Sequence, residues 1–225
     1  MVGYDEQNVS PIVIARSVSD EAIQPLARNW IASLALAMTE RQVPCGANER
    51  MKVIGLAGWS GAGKTTLLTR VLPYLLDEGL RVSVIKHAHH HFDVDVPGKD
   101  SWRHREAGAT EVLVSSGKRW ALMHELRGAG EPRLPELLSK MSRVDLVVVE
   151  GYKAEPHRKI EVFRAANGKP LLFPDDDWIV GIATDAAVET RLPTAHLDDI
   201  PAVAAMMRRL AMSIEDVLAH SAADS

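Results

Sequence analysis

Residues 58–65 read Gly-Trp-Ser-Gly-Ala-Gly-Lys-Thr, and these types at this spacing can hold a polyphosphate. Glycines at 58, 61 and 63 let the chain wrap closely around an anion. The backbone N–H groups of Ser60, Gly61, Ala62 and Gly63 then turn inward, and the helix that follows adds its positive dipole end. Lys64 is expected to reach the β- and γ-phosphate oxygens as a mobile point charge. The Thr65 hydroxyl takes one position on an octahedral magnesium ion, and Thr66 is a weaker candidate behind it. The spacing Gly-x-x-x-x-Gly-Lys-Thr is the Walker A pattern, whose confirming context is a strand before and a helix after. Trp59 has no evident phosphate duty and suits either packing or shielding of a nucleotide.

A magnesium nucleotide site also needs a carboxylate beside this loop. Val144-Asp-Leu-Val-Val-Val-Glu-Gly151 supplies one. Its apolar run fits a strand covered on both faces, and Glu150 emerges at the carboxyl end, where ligands bind in open α/β sheets. Glu150 is therefore the second candidate catalytic residue, beside Lys64, and a metal ligand with Thr65. Gly151 would let the backbone pass close to the γ-phosphate, while Asp145 at the opposite end reads as structural. A third element, Lys86-His-Ala-His-His-His-Phe-Asp-Val-Asp-Val-Pro-Gly-Lys-Asp-Ser101, should hang over the same rim as a switch-type loop. In it Lys86 or His87 contacts phosphate. One of Asp93, Asp95 and Asp100 approaches magnesium or the attacking water, with Asp95 taken as the metal-facing residue. Transition-metal binding by the histidines is the weaker reading, because consecutive histidines diverge and a ligand set needs converging geometry.

The elements that would position these residues follow an alternating order. Short β-branched runs interleave with helical patterns from Met51 onward, the signature of βαβ units in a parallel sheet. Strands are expected at Lys52–Ala57, Arg81–Lys86, Glu111–Ser115, Trp120–Leu126, Val144–Val149, Ile160–Phe163, Leu171–Phe173 and Ile179–Ala183. Helices are expected at Thr65–Glu78, closed by Gly79, and at about Ser101–Ala107, Pro132–Met141 and Ile200–Ala219. The fold class is α/β: three layers, a mainly parallel sheet flanked by helices, with some added antiparallel strands. Residues 51–220 form this domain. In residues 1–50 only a short strand at Ile12–Ala15 and a modest helix at Glu21–Thr39 are discernible. We expect a loosely ordered extension there, of the kind an upstream start codon would add ahead of Met51, rather than a functional appendage.

Composition narrows the classes. Of 225 residues, 46% are hydrophobic, enough for one large core. The net charge of −4, from 30 acidic and 26 basic residues mixed along the chain, gives no broad footprint for nucleic acid. The single cysteine, Cys45, excludes an intramolecular disulfide and any site built of several thiolates, and fits a reducing cytoplasm. No apolar run approaches the roughly 18 residues that span a bilayer, and no secretory leader is discernible at the amino terminus. A soluble, cytoplasmic protein with neither nucleic-acid nor membrane partners is the expectation.

Several motifs in order carry a resemblance: the loop continuing Thr65-Thr-Leu-Leu68, Ile85-Lys-His87, Asp93-Val-Asp95, Pro97-Gly-Lys-Asp-Ser101, Arg119-Trp-Ala-Leu-Met123 and Val149-Glu-Gly-Tyr-Lys153. Together they resemble the molybdopterin-guanine dinucleotide biosynthesis accessory protein B (MobB) family, from about Met51 to Met207. The resemblance implies a homodimeric GTP-binding protein with weak GTPase activity and the P-loop NTPase fold. Its cofactors would be GTP and magnesium. Its partners would be the molybdenum cofactor guanylyltransferase, which attaches GMP, and the molybdopterin cofactor itself. By position it assigns Lys64 and Thr65 to phosphate and magnesium, Glu150 to the acidic strand end, the Pro97–Ser101 motif to the border of the nucleotide site, and the Trp120 strand to the dimer. No Asn-Lys-x-Asp motif reads guanine; Asp185, after the strand ending at Ala183, is the candidate base reader, with a turn or cap role as the alternative. The 50-residue extension and the third consecutive histidine depart from the family pattern. Competing readings are a small-molecule kinase, whose lid would draw on Arg103, Arg105, Arg127 or Arg133, a metallochaperone GTPase, and an interaction protein with a structural nucleotide.

Overall fold

The structure is a computed structural model and describes residues 51–88 and 92–223. Strand β1 (Lys52–Ala57) is central, and every residue after Lys52 is buried. It runs parallel to β5 (Leu146–Glu150) on one side and to β6 (Lys159–Phe163) on the other. Beyond β5 lies β2 (Val82–Lys86); beyond β6 lie β7 (Ile179–Thr184) and β8 (Thr194–His196), all parallel. A short β9 (Met212–Ser213) pairs antiparallel with the start of β1 and completes a seven-stranded sheet. The antiparallel hairpin of β3 (Glu111–Ser115) and β4 (Trp120–His124) stands apart as a second sheet. The expected mainly parallel α/β architecture is thus present, with its antiparallel additions.

Helix α1 (Lys64–Asp77) buries Leu67, Leu68, Val71 and Leu75, the i, i+4 stripe legible in the sequence, and closes through backbone bonds at Gly79 and Leu80. With α4 (Ile200–Leu210) it covers one face of the sheet, against Ile54, Leu56, Val148, Ile160 and Val162. The other face packs Val53, Ile85, Val147 and Val149 on Leu134 and Leu138 of α3 (Leu134–Lys140) and Val217 of α5 (Ile214–Ala223). A short helix α2 (Asp100–Glu106) precedes the hairpin. Among the described residues no helix is long and apolar enough to cross a membrane.

Two expected elements are corrected. Residues 171–173 form no strand; a 3-10 turn at Phe173–Asp175 stands there, because the Glu161 carboxylate accepts from Leu172 N–H at 2.7 Å and from Phe173 N–H at 2.9 Å. A ladder has no claim on donors already taken by a side chain. The single helix expected over Ile200–Ala219 is two helices, broken at Ala211 (ψ 136°) so that Met212 and Ser213 can pair with β1. Ser213 then caps α5: its hydroxyl accepts from Asp216 N–H and donates to the Asp216 carboxylate. Strand β8 was not expected at all. The strand at Ile12–Ala15 and the helix at Glu21–Thr39 lie outside the described residues.

On the second face, β6 and β7 are covered by a strap of residues 168–178 in place of a helix. Strand β6 turns Lys159 and Glu161 toward it, both fully buried, and Lys159 donates to Asp176 at 3.2 Å. The crossover of residues 151–158 from β5 to β6 passes over β1, and a Cβ at Gly55 would lie 2.5 Å from His157 Nε2. His157 Nδ1 lies 3.0 Å from the Glu155 carbonyl, which can only accept, so Nδ1 carries the proton and Nε2 faces Gly55 without a partner among the described residues.

Burial lowers the His157 pKa from 6.5 to about 4, with the Lys159 charge acting in the same direction. The unfolded imidazole therefore binds a proton below pH 6.5 that the folded one refuses until about 4, so stability falls as pH drops through that window. The full shift corresponds to about 3 kcal/mol. Burial raises the Glu161 carboxyl pKa and works in the opposite sense, so the informative quantity is a difference. Urea unfolding at pH 6.5 and at pH 4.5 should show a smaller stability loss in His157→Gln than in the parent protein; equal losses would remove the assignment.

Candidate functional site

The carboxyl ends of β1, β2 and β5 bring the sequence candidates together. The loop leaves β1 at Gly58 and enters α1 at Lys64, with Gly58, Gly61 and Gly63 all at positive φ, as a tight anion cradle requires. Ala62 is buried beneath it, and Ser60 and Gly61 lie at the exposed lip, where Asn167 Nδ2 donates to Ser60 O at 3.1 Å. Lys64 Nζ donates to Gly58 O at 2.9 Å and to Trp59 O at 3.0 Å, lying back along its own loop. Its pKa is lowered, first by burial and then by Lys153; Lys86 adds to that effect and Glu150 opposes it.

Strand β5 delivers Glu150 to the mouth of the loop, where its carboxylate accepts from Thr65 Oγ1 at 2.7 Å. From β2, Lys86 Nζ lies 3.4 Å from the same hydroxyl and 3.6 Å from the Glu150 carboxylate. Two hard oxygens on adjacent elements at this separation resemble one edge of an octahedron, which for 2.0–2.1 Å bonds spans about 3 Å. Thr65 and Glu150 thus fit a magnesium ion. Thr66 is exposed on the first turn of α1, and its carbonyl accepts from Thr69.

Other candidates are engaged elsewhere. Asp95 is held by Ser101 Oγ at 2.8 Å and Arg105 Nε at 3.2 Å, and Arg105 also grips Asp93 at 3.0 Å and Glu125 at 2.8 Å. Hydrogen bonds and the Arg105 charge hold both aspartates below the usual carboxylate range. Among the described residues no hydrogen bond or ion pair joins Asp95 to Thr65 or Glu150. Arg127 donates to Arg105 O and Ala109 O, so two of the four arginines suited to a lid serve the fold around α2. His87 Nε2 pairs with Glu131 at 2.6 Å; His89, His90 and His91 lie outside the described residues. Among the described residues no cluster of three His, Cys, Asp or Glu side chains is arranged to hold a metal.

Asp185, at the end of β7, accepts from Ala165 N–H at 2.8 Å and pairs with Arg164 at 3.4 Å. These bonds secure the segment that touches the loop. Gly151 (φ 105°) makes room for His87, whose Cβ a side chain at 151 would overlap. Asn167 and Arg164, whose guanidinium nitrogen lies 3.7 Å from where a Gly63 Cβ would stand, have no signal in the sequence, and Lys153, quoted there within a motif but given no role, sets its Nζ 5.4 Å from the centre of the Trp59 ring. Lys169 Nζ lies 5.9 Å from the same ring, and Trp59 Nε1 donates to Pro170 O at 2.8 Å, so Trp59 joins the loop to the strap. The signal for Lys153 is its place at the end of the Val149–Lys153 motif, two residues after Gly151.

Known proteins match this arrangement along most of the described chain. The sequence model of the family "Molybdopterin guanine dinucleotide synthesis protein B" matches residues 53–185. The chain is 41% identical over 161 residues to the molybdopterin-guanine dinucleotide biosynthesis adapter protein of Haemophilus influenzae, covering 70% of this chain and 88% of that one. It is also 41% identical over 155 residues to the adapter protein of the same description from Escherichia coli K12, covering 68% and 89%. Among solved structures, a crystal structure of molybdopterin-guanine biosynthesis protein B aligns with a TM-score of 0.57 at 26% identity, over 70% of this chain and 99% of the other.

Proposed function

Because this chain belongs to the molybdopterin guanine dinucleotide synthesis protein B family, we propose that it is a GTP-binding adapter in molybdenum cofactor biosynthesis. Its role is accessory: it assists the guanylyltransferase that attaches GMP to molybdopterin to give the guanine dinucleotide cofactor. The observation that carries the nucleotide reading is the pairing of Thr65 with Glu150 at 2.7 Å across the mouth of the loop. That pairing joins the residue that follows the phosphate-binding lysine to a strand-end carboxylate, the two protein ligands a magnesium triphosphate requires.

Within the site, the loop amides and Lys64 would hold the β- and γ-phosphates, and Thr65 and Glu150 would hold the magnesium ion, which supplies charge neutralisation on the transferring phosphoryl group. Lys86, paired with the Glu150 carboxylate, would balance that charge from β2. Hydrolysis is slow in this reading, since no glutamine or arginine is assigned to position the attacking water or neutralise the leaving oxygens. A triphosphate substrate would be available in the cytoplasm, which supports that location for the protein. A homodimer completes the proposal: the β3–β4 hairpin leaves Leu113, Trp120 and Leu122 about half exposed or more, and a two-stranded ribbon with apolar faces is marginal until another surface covers it. A second copy pairing hairpin to hairpin would cover it symmetrically.

Three measurements test this. Lys64→Ala should abolish nucleotide hydrolysis with an unchanged circular dichroism spectrum, and a folded variant that still releases phosphate at the parental rate would sink the assignment. Calorimetric titration should find GTP bound at least about tenfold more tightly than ATP, roughly 1.4 kcal/mol; equal affinities would remove the guanine reading and restore the kinase alternative. Sedimentation of Trp120→Glu should give a monomer where the parent protein gives a dimer, and an unchanged dimer would move the interface off the hairpin.

A further inference from the structure

The phosphate loop is overhung by a cation that neither the loop motif nor the magnesium pair accounts for. Lys64 lies along the loop carbonyls and Lys86 is paired with Glu150, whereas Lys153 Nζ stands 5.4 Å from the Trp59 ring centre in a cation–π contact. Among the described residues no carboxylate lies in ion-pair range of Lys153. The side chain is exposed. Its charge nevertheless reaches the site, because it is the leading electrostatic cause of the lowered Lys64 pKa.

The backbone that carries Lys153 is unusual. Gly151 at φ 105° and Tyr152 at φ 49° place two successive residues in left-handed conformations directly after Glu150. For a bulky residue such as tyrosine this conformation is an outlier, and it persists only where the surroundings enforce it. His87 enforces it here: the histidine fills the space above Gly151, and its ring lies 4.9 Å from that of Tyr152. Lys153 follows this turn directly, and its ammonium reaches the Trp59 ring of the loop. Without that turn the lysine would have no geometric reason to lie on Trp59, a residue of the loop itself.

We propose that Lys153 is the residue that distinguishes a nucleoside triphosphate from a diphosphate. With a triphosphate bound, its ammonium leaves the indole face and pairs with the terminal phosphate at the open side of the loop, opposite the magnesium edge formed by Thr65 and Glu150. A diphosphate ends short of that position and leaves the lysine on Trp59. The inference rests on the reading of the loop as a guanine nucleotide site and adds to it a sensor of phosphate number. Because among the described residues the ammonium is held by a cation–π contact and no ion pair, exchanging that contact for a charge-assisted hydrogen bond is favourable.

Calorimetry on the full chain with magnesium, using GDP and the non-hydrolysable β,γ-imido analogue of GTP, tests it. The parent protein should prefer the triphosphate analogue. Lys153→Met should weaken the analogue by about tenfold while changing GDP by less than about twofold, and Lys153→Arg should restore most of the difference. Equal weakening of both ligands would assign Lys153 to holding the loop in shape and overturn the proposal. So would unchanged affinities, or a parent protein without triphosphate preference. A parent protein that binds neither nucleotide would instead overturn the guanine-nucleotide reading on which the proposal stands.

Discussion

A carboxylate buried at the end of a parallel strand has to be answered by donors or cations, and Glu150, 8% exposed, is answered by Thr65 from the loop and Lys86 from β2. That requirement holds three chain segments in register. Strands β1, β2 and β5 pair so that Leu56 and Lys86 both stand opposite Glu150, and the loop springs from β1 one residue beyond that level, after Ala57. The same carboxylate that fits a magnesium ion therefore keeps the cradle closed against the sheet. A change at Glu150 should be felt both in folding and in the chemistry.

A second buried polar system supports the far side of the loop. Lys159 and Glu161 alternate along β6 with Ile160 and Val162, a pattern that reads as a strand with one solvated face. Both charged residues are in fact enclosed, because the strap of residues 168–178 bonds to them through Asp176, Leu172 and Phe173. The strap also receives the Trp59 indole N–H at Pro170. The loop is thus braced by Glu150 on one side and by the β6 charges, through the strap and Trp59, on the other.

What the sequence made legible follows from how local each signal is. The strand at Glu111–Ser115, the first strand and the loop between strand and helix coincide with their expected positions, because alternation, glycine spacing and an adjacent helix stripe are all short-range. The C-terminal helix was read through its break, since hydrophobic spacing continues across Ala211 and only pairing with distant β1 interrupts it. A local mark was present nonetheless: Ser213-Ile-Glu-Asp216 is a capping pattern inside an apolar run. Nothing in the sequence announces that Arg105 collects Asp93 and Asp95 from one loop and Glu125 from the end of the hairpin. Arg164 and Asn167 were invisible for the same reason, their place beside the loop being a product of the β6–β1 pairing.

The tryptophan-capped loop also has a consequence for how ligands arrive. The chain as a whole carries −4, yet Lys64, Lys86, Lys153, Lys169 and Arg164 gather at one edge of the sheet. Such a cluster draws anions to the loop against the negative charge of the chain as a whole. The attraction extends over a Debye length of about 8 Å at physiological ionic strength, so it orients an incoming polyphosphate only in the last steps of its approach. Capture of an anion becomes a matter of ionic strength as well as of fit, and the rim acts as a short-range funnel whose depth the surrounding salt sets.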